Sequence, residues 1–487
     1  MLVRNAEIGG ERRDLRCQGD RIVEIAPGLT PVGREKCIDA GGGALLRGLH
    51  DHHIHLMSLA AALGSVACGP SAVENAEGLS AALANATPRN GWIRGAGYFE
   101  SVAGDLTRDR LDELAPDIPV RIQHRSGAMW FVNSNGLEAL GIQQTGDASA
   151  APEGIERQGS GRPTGRLFRM DAWLRERLPA AEPPDLAVVG ERLARFGVTG
   201  VTDATPTNAA QEFALLRAAQ TCGALPQRLR IMGRLDLRAP DSAEAAGSGS
   251  RARIAVDAHK ILLDEPALPD LDALARAVRE AHEANRGVAI HTVTRAELVF
   301  ALAALEIAGT HPGDRLEHAS IATPEAIETI ERIGLRVCTQ PNFIAERGDA
   351  YQRDVAALDQ PHLYRVGSWA RAGVPLAFGT DAPFGDPDPW RAMRAAVRRE
   401  TQTGVVLGVD ECVSPESALA LFDPARLSPA ASSPLAESDQ RSPRAPQIGD
   451  AGDLCLLAVP WAVARNRLKS EDVRATLCSG ELAYLKV

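Results

Sequence analysis

Four histidines fall within six residues of the stretch GLHDHHIHL, Gly48 to Leu56: His50, His52, His53 and His55. Imidazole is a good ligand for zinc and similar divalent ions. Residues i and i+2 of a strand share a face, so His53 and His55 can chelate one ion together. On strict alternation Asp51 shares that face and can support a ligand. His50 and His52 have the opposite parity and are expected on the helix-facing side. Further along, several apolar stretches close on residues of the same chemical kind. His291 closes AIH, His318 closes LEH and Asp381 closes FGTD. Lys260 lies within AHKILLD, and lysine is almost never fully buried without a partner. Taken singly, each has an ordinary explanation, such as a satisfied core histidine or an aspartate capping the next helix. Five ligand-type residues and one lysine, delivered by separate strand candidates, are far more specific and point to a metal centre.

Those residues need elements to position them. The middle of the chain alternates apolar runs of four to eight residues with amphipathic helices, the pattern of buried parallel strands. After HDHHIHL come VTGVTDAT, QRLRIMGRL, RIAVDAHKILL, GVAIHTV, DRLEHAS, LRVCTQP and VPLAFGTDAP. Eight such units predict an α/β fold built on a (β/α)8 TIM barrel, whose active site lies at the C-terminal ends of its strands. The expected division gives the barrel residues 47–60 with 185–427. Residues 61–184 break the repeat and read as an inserted α/β subdomain after strand 1, placed over the active site. Residues 1–46 and 446–487 are strand-rich and punctuated by Gly and Pro, and are expected to form one small composite β-sandwich domain from both termini. Residues 428–445, rich in Ser, Pro and Ala, read as a flexible loop.

Composition narrows the class. The 487 residues are 45% hydrophobic and 24% charged, with a net charge of −10, which disfavours nucleic-acid binding. No apolar run approaches the ~18 residues of a membrane span, and the N-terminus carries no apolar segment of the signal-peptide type. Eight cysteines, widely spaced and without a CxxC pair, read as reduced thiols of a cytoplasmic protein. The expected partner is a small-molecule substrate, not nucleic acid or membrane. The oligomeric state is open, a homodimer included.

These motifs resemble the amidohydrolase superfamily, and within it the family 3 branch that includes N-substituted formamide deformylases. GLHDHHIHL is similar to its first-strand motif, with Arg47 where a Pro is usual. HTVTRAEL, LEHAS and FGTDAPFGDPDPW are similar to its fifth, sixth and eighth strands. The resemblance extends to WIRGAGYFE, FVNSNGLEALGI and EGIERQGSGRPTGRL in the insertion, and to the C-terminal β segment. It implies a metal-dependent amidohydrolase holding one or two divalent ions, Zn2+ above others. His53, His55 and Asp381 would bind the more buried ion and His291 and His318 a second. Lys260 would bridge them as an N-carboxylated lysine. If Lys260 is unmodified, a single-metal site remains open. Asp381 would be the catalytic residue, taking a proton from the attacking water and passing it to the leaving amine.

Substrate contacts are sought in the insertion. Tyr98, Phe99 and Trp130 could line a pocket, although aromatic residues there serve as core just as readily. Ala128 stands where the branch usually carries a His, and His124, four residues earlier, is the candidate in its place. Arg166 could meet an anionic substrate. The leading reading is hydrolysis of a C–N bond in an amide, N-formyl group, cyclic amide or carbamate. The same scaffold could instead serve a lyase, decarboxylase, hydratase or isomerase, or a binding protein without catalysis.

Overall fold

A computed structural model describes residues 1–70, 72–115, 117–142, 152–179, 183–239, 253–427, 435, 439 and 442–486. The chain forms two compact units: Met1–His55 with Gly190–Val487, and Leu56–Val189. The stretch 428–445 lies largely outside the described residues.

The first unit is built on one eight-stranded sheet whose neighbours are all parallel and follow chain order. Its strands are β1 (Leu49–Ile54), β2 (Val198–Asp203), β3 (Arg228–Gly233), β4 (Ile254–Leu262), β5 (Val288–Thr292), β6 (Arg315–His318), β7 (Arg336–Thr339) and β8 (Leu376–Phe378). Every residue of β1, β2, β6, β7 and β8 is buried, as expected for strands covered on both faces. The two edges meet past the end of β8, where Asp381 N donates to His53 O (2.8 Å) and His55 N donates to Ala382 O (2.9 Å). Gly379 makes this approach feasible. A Cβ there would lie 2.5–2.9 Å from the backbone and Cβ of His53. Below that seam Leu421 and Phe422 fill the gap, their carbonyls accepting from Phe378 N and His50 N. This is the TIM barrel expected from the repeat, with all eight strand candidates in place.

The intervening helices carry the start signals their sequences advertise. Asp270 caps Leu271–Glu283 by accepting from Ala273 N (3.1 Å). Thr294 and Glu297 form a reciprocal capping box on Arg295–Ala308. Each such cap is worth about 1 kcal/mol. The buried residues of Leu271–Glu283 are Leu274, Ala275, Val278 and Ala281, a helical stripe turned to the sheet.

The same unit contains two four-stranded sheets. One joins Leu2–Ile8, Glu11–Gln18, Arg21–Ala26 and Cys37–Asp39; the other joins Leu45–Arg47 to Leu454–Leu457, Val473–Cys478 and Glu481–Leu485. They share one core, in which Val3, Leu15 and Ile22 pack with Leu454, Leu456 and Leu477. Strands from both chain ends thus build one small β sandwich. The second unit holds a six-stranded mixed sheet from Val66–Ala67 to Pro163–Phe168, with its own apolar clusters around Tyr98 and Leu111 and around Trp130 and Leu137. It spans the stretch expected as an insertion at 61–184.

Candidate metal centre

The C-terminal strand ends bring the predicted ligands together. His53 and His55 close β1, and the backbone bonds just described hold Asp381 against them. His53 Nε2 and His55 Nε2 lie 3.4 and 3.2 Å from Asp381 Oδ1. One atom from each of the three residues falls within 4.8 Å of the others, a spacing that a divalent ion can bridge. The imidazoles continue across the barrel mouth. The ring of His53 lies 5.3 Å from that of His55 and 4.7 Å from that of His318, and His291 lies 4.4 Å from His318. Lys260 sits on β4 beside Ala289, one rung below His291. It is 4% exposed, and its Nζ has no hydrogen-bond partner among the described residues. Asp381 Oδ1 is also buried without one.

The electrostatics suit ligation. Burial, helped by Lys260 and the neighbouring imidazoles, holds His53 and His318 well below the usual histidine range. Both are therefore neutral, as ligation requires. Burial also pushes the Lys260 amine down from its ordinary value, and Arg315 acts the same way. Each of three imidazoles has its Nδ1 engaged by a supporting group: Glu317 for His53, Thr205 Oγ1 (3.0 Å) for His55 and Gln340 Oε1 (2.7 Å) for His318. Nε2 is thereby left for the centre. Asp51 is fully buried beneath the seam. It accepts from His53 N (3.1 Å), Thr380 N (3.0 Å) and Thr380 Oγ1 (2.5 Å), and burial raises its carboxyl to about 7. His318 and Asp381 both have left-handed backbone, at φ 68° and 57°. Such conformations cost on the order of 1–3 kcal/mol each and concentrate at functional sites.

A second group, His53, Glu317 and Cys338, is equally tight and wholly buried. It suits a cation poorly, because Arg315 already neutralises Glu317 and Lys260 lies nearby.

Strict alternation along β1 does not hold. Val201 faces Asp51 and Asp203 faces Ile54, so β1 accommodates three steps against two on β2. The extra residue is a bulge that resets parity. His50 and His52 are therefore not turned to the helices but lie on the interior side, below the centre. His50 bonds Thr202 Oγ1 (2.9 Å) and would collide with a Cβ on Gly200; His52 bonds Asp423 O (3.0 Å). Burial, with Arg230 nearby, pushes His50 down to about 3. The floor around them is charged: Arg230 bonds Asp257 (2.7 Å), and Arg315 bonds Glu317 and His52 O (2.9 Å).

The expected substrate contacts lie in the second unit, and two of them are core. Tyr98 is fully buried, donates to Gly104 O (2.6 Å) and packs edge-on against Phe131. Trp130 is buried, donates to Asp171 (3.0 Å) and has the guanidinium groups of Arg94 and Arg121 over its ring. Arg166 is paired with Asp105 and Glu156 and donates to Leu106 O. Phe99 and His124 remain half-buried, Phe99 under Arg125 and His124 between Ser126 and Glu100. Sequence reasoning passed over Glu317, Gln340 and Phe384, whose ring lies 5.3 Å from that of His55.

A parallel eight-stranded barrel with imidazoles and a carboxylate gathered at its strand ends defines a metal-dependent hydrolase of the amidohydrolase type. The model of the amidohydrolase family matches residues 36–484, and the chain belongs to that family. It is 28% identical over 436 residues to an N-substituted formamide deformylase from Arthrobacter pascens, covering 79% of each chain. Among solved structures it is similar to an uncharacterized metal-dependent hydrolase from Pyrococcus horikoshii OT3, at a TM-score of 0.64 and 20% identity, covering 86% of this chain and 91% of that one. It also resembles the atrazine chlorohydrolase TrzN from Arthrobacter aurescens TC1, complexed with zinc, at a TM-score of 0.56 and 13% identity, covering 99% and 94%.

Proposed function

We propose that this enzyme hydrolyses a carbon–nitrogen bond in a small molecule, of the amide, N-formyl, cyclic amide or carbamate kind. The observation that carries the reading is the convergence of His53, His55 and Asp381 near a buried Lys260 whose Nζ has no hydrogen-bond partner among the described residues. The likeness to a deformylase of N-substituted formamides supports the choice of bond.

The residues fit a divalent ion. Asp381 Oδ1 and Lys260 Nζ, both buried without a hydrogen-bond partner among the described residues, are costly without a further group. Neutral imidazoles with a carboxylate are the donor set zinc prefers. His53, His55 and Asp381 would hold one ion, and His291 and His318 a second. Lys260 would bridge them after its free amine adds to carbon dioxide, forming an N–C bond and releasing one proton. A bound ion supplies Lewis acidity and lowers the pKa of water towards 7. Asp381 takes the proton of the attacking water on its free oxygen and delivers it to the departing nitrogen. Gln340 and Thr205 keep their imidazoles aimed while this happens. The eight free thiols support a reducing, cytoplasmic setting.

Product mass tests the reading. Amides, N-formyl amines, cyclic amides and carbamates are incubated with metal-loaded enzyme. Turnover that adds one water and frees an amine is expected. Turnover with loss of carbon dioxide or with no mass change, and no hydrolysis, would refute it.

A further inference from the structure

Glu317 is fully buried in the barrel interior, and its two carboxylate oxygens are divided between two neighbours. One accepts from His53 Nδ1 and the other from Arg315 Nε. Arg315 is anchored in turn, its Nη2 donating to His52 O (2.9 Å) and lying 3.7 Å from Met232 Sδ. We propose that Glu317, held in place by Arg315, is the positioning residue of the metal centre, fixing the tautomer and aim of His53. The inference rests on the metal-centre reading above. A carboxylate only accepts hydrogen bonds, so His53 must carry its proton on Nδ1. Its Nε2 lone pair then points to the side where Asp381 Oδ1 lies 3.4 Å away. The carboxylate also makes His53 a more basic ligand. At Nδ1 the partners of His55 and His318 are instead the neutral Thr205 and Gln340. Glu317 thus makes His53 the strongest imidazole donor of these three.

The competing account is a structural ion pair between Arg315 and Glu317. The two separate in Glu317→Gln. An amide has one acceptor end and one donor end. With its oxygen on Arg315, its NH2 faces His53 Nδ1 and drives the proton to Nε2, which can no longer bind metal. With its oxygen on His53, its NH2 opposes Arg315 Nε–H. Glu317→Asp keeps the carboxylate but withdraws it by one methylene.

The test is zinc affinity of the full-length protein, by competition with a chromophoric chelator. The visible spectrum of the cobalt-substituted protein and far-UV circular dichroism accompany it. Glu317→Gln is expected to bind zinc ten- to hundredfold more weakly, with an altered cobalt spectrum and unchanged dichroism, and Glu317→Asp to fall between it and wild type. A folded Glu317→Gln with wild-type affinity and spectrum overturns the proposal and leaves the metal centre standing. Should Glu317→Gln not fold, Glu317→Asp decides: unchanged affinity overturns the proposal and weakened affinity supports it. Wild-type protein that takes up no zinc after supplementation overturns the metal-centre reading itself, and this inference with it.

Discussion

Replacing Lys260 by Met should make the metal-free protein more stable and the enzyme inactive. Lys260 is 4% exposed, its Nζ has no hydrogen-bond partner among the described residues, and burial depresses its amine. Leaving a buried polar group unsatisfied costs about 1–3 kcal/mol. Methionine has similar length and flexibility and fills the volume with no polar atom. Its main electrostatic neighbour, Glu317, is not orphaned by the change, because Arg315 still pairs it. The apo protein should therefore gain about 1–3 kcal/mol, a rise of a few degrees in Tm. Metal should reverse the order. An ion at a hundred times its Kd stabilises wild type by about 2.7 kcal/mol, and the variant has lost the proposed bridging ligand. Scanning fluorimetry in chelator and in excess zinc, with metal content and turnover measured in parallel, reads both arms. A Lys260→Met protein that melts below wild type in chelator, or that keeps full metal content and turnover, would refute the reasoning.

Asp381→Asn preserves shape but removes the proposed proton acceptor, which lies beside His53 and His55. Turnover should fall by about 10²–10⁴-fold with weaker metal binding, and retained metal with unchanged turnover counts against Asp381 as the proton carrier. Asp388 caps the helix Pro389–Arg398, accepting from Trp390 N (2.9 Å) and Ser470 Oγ (2.6 Å), and burial raises its carboxyl from 3.8 to about 6. A raised carboxyl means the folded state binds the proton more tightly, so this contribution is full below pH 3.8 and is lost as pH rises through about 6. Asn caps as well as Asp, so Asp388→Asn should exceed wild type above pH 6, by at most about 3 kcal/mol. The gap should close towards pH 4 in urea titrations at the two pH values, and a variant no more stable at pH 7.5 contradicts the assignment.

The barrel was legible because its signals are local and repeated. Each strand is a short apolar run flanked by capped amphipathic helices, and eight repeats leave few other closures. The six proposed ligands were legible because five of them close such a run at its C-terminal end and Lys260 interrupts one from within. What escaped depended on geometry between strands. The bulge that turns His50 and His52 inward arises from the register of β1 on β2, which no periodicity in HDHHIHL reveals. Tyr98 and Trp130 read as pocket or core alike from sequence, and burial decides for core. Glu317 had a signal that went unused. Reasoning that singled out a lysine inside an apolar strand applies equally to Arg315 and Glu317 in RLEH. They stand two residues apart and so share the inward face.

Several local rules fail together at the strand ends, and that coincidence is informative. His318 and Asp381 adopt left-handed backbone, Lys260 and Asp381 bury atoms without a hydrogen-bond partner among the described residues, and charges lie in the barrel floor where branched apolar side chains usually stack. By contrast, the helix Arg295–Ala308 carries a full capping box and the sandwich core is conventional. Strained backbone, buried unsatisfied atoms and interior charges that coincide in one strand-end cluster fit a site maintained for a purpose other than stability. The floor charges fit the same logic. Arg315 cannot leave Glu317 without stranding a buried carboxylate, nor can Glu317 leave His53 without freeing the ring. Rigidity below the centre therefore comes from mutual dependence among charged groups, which an apolar floor of equal packing could not transmit to the orientation of an imidazole.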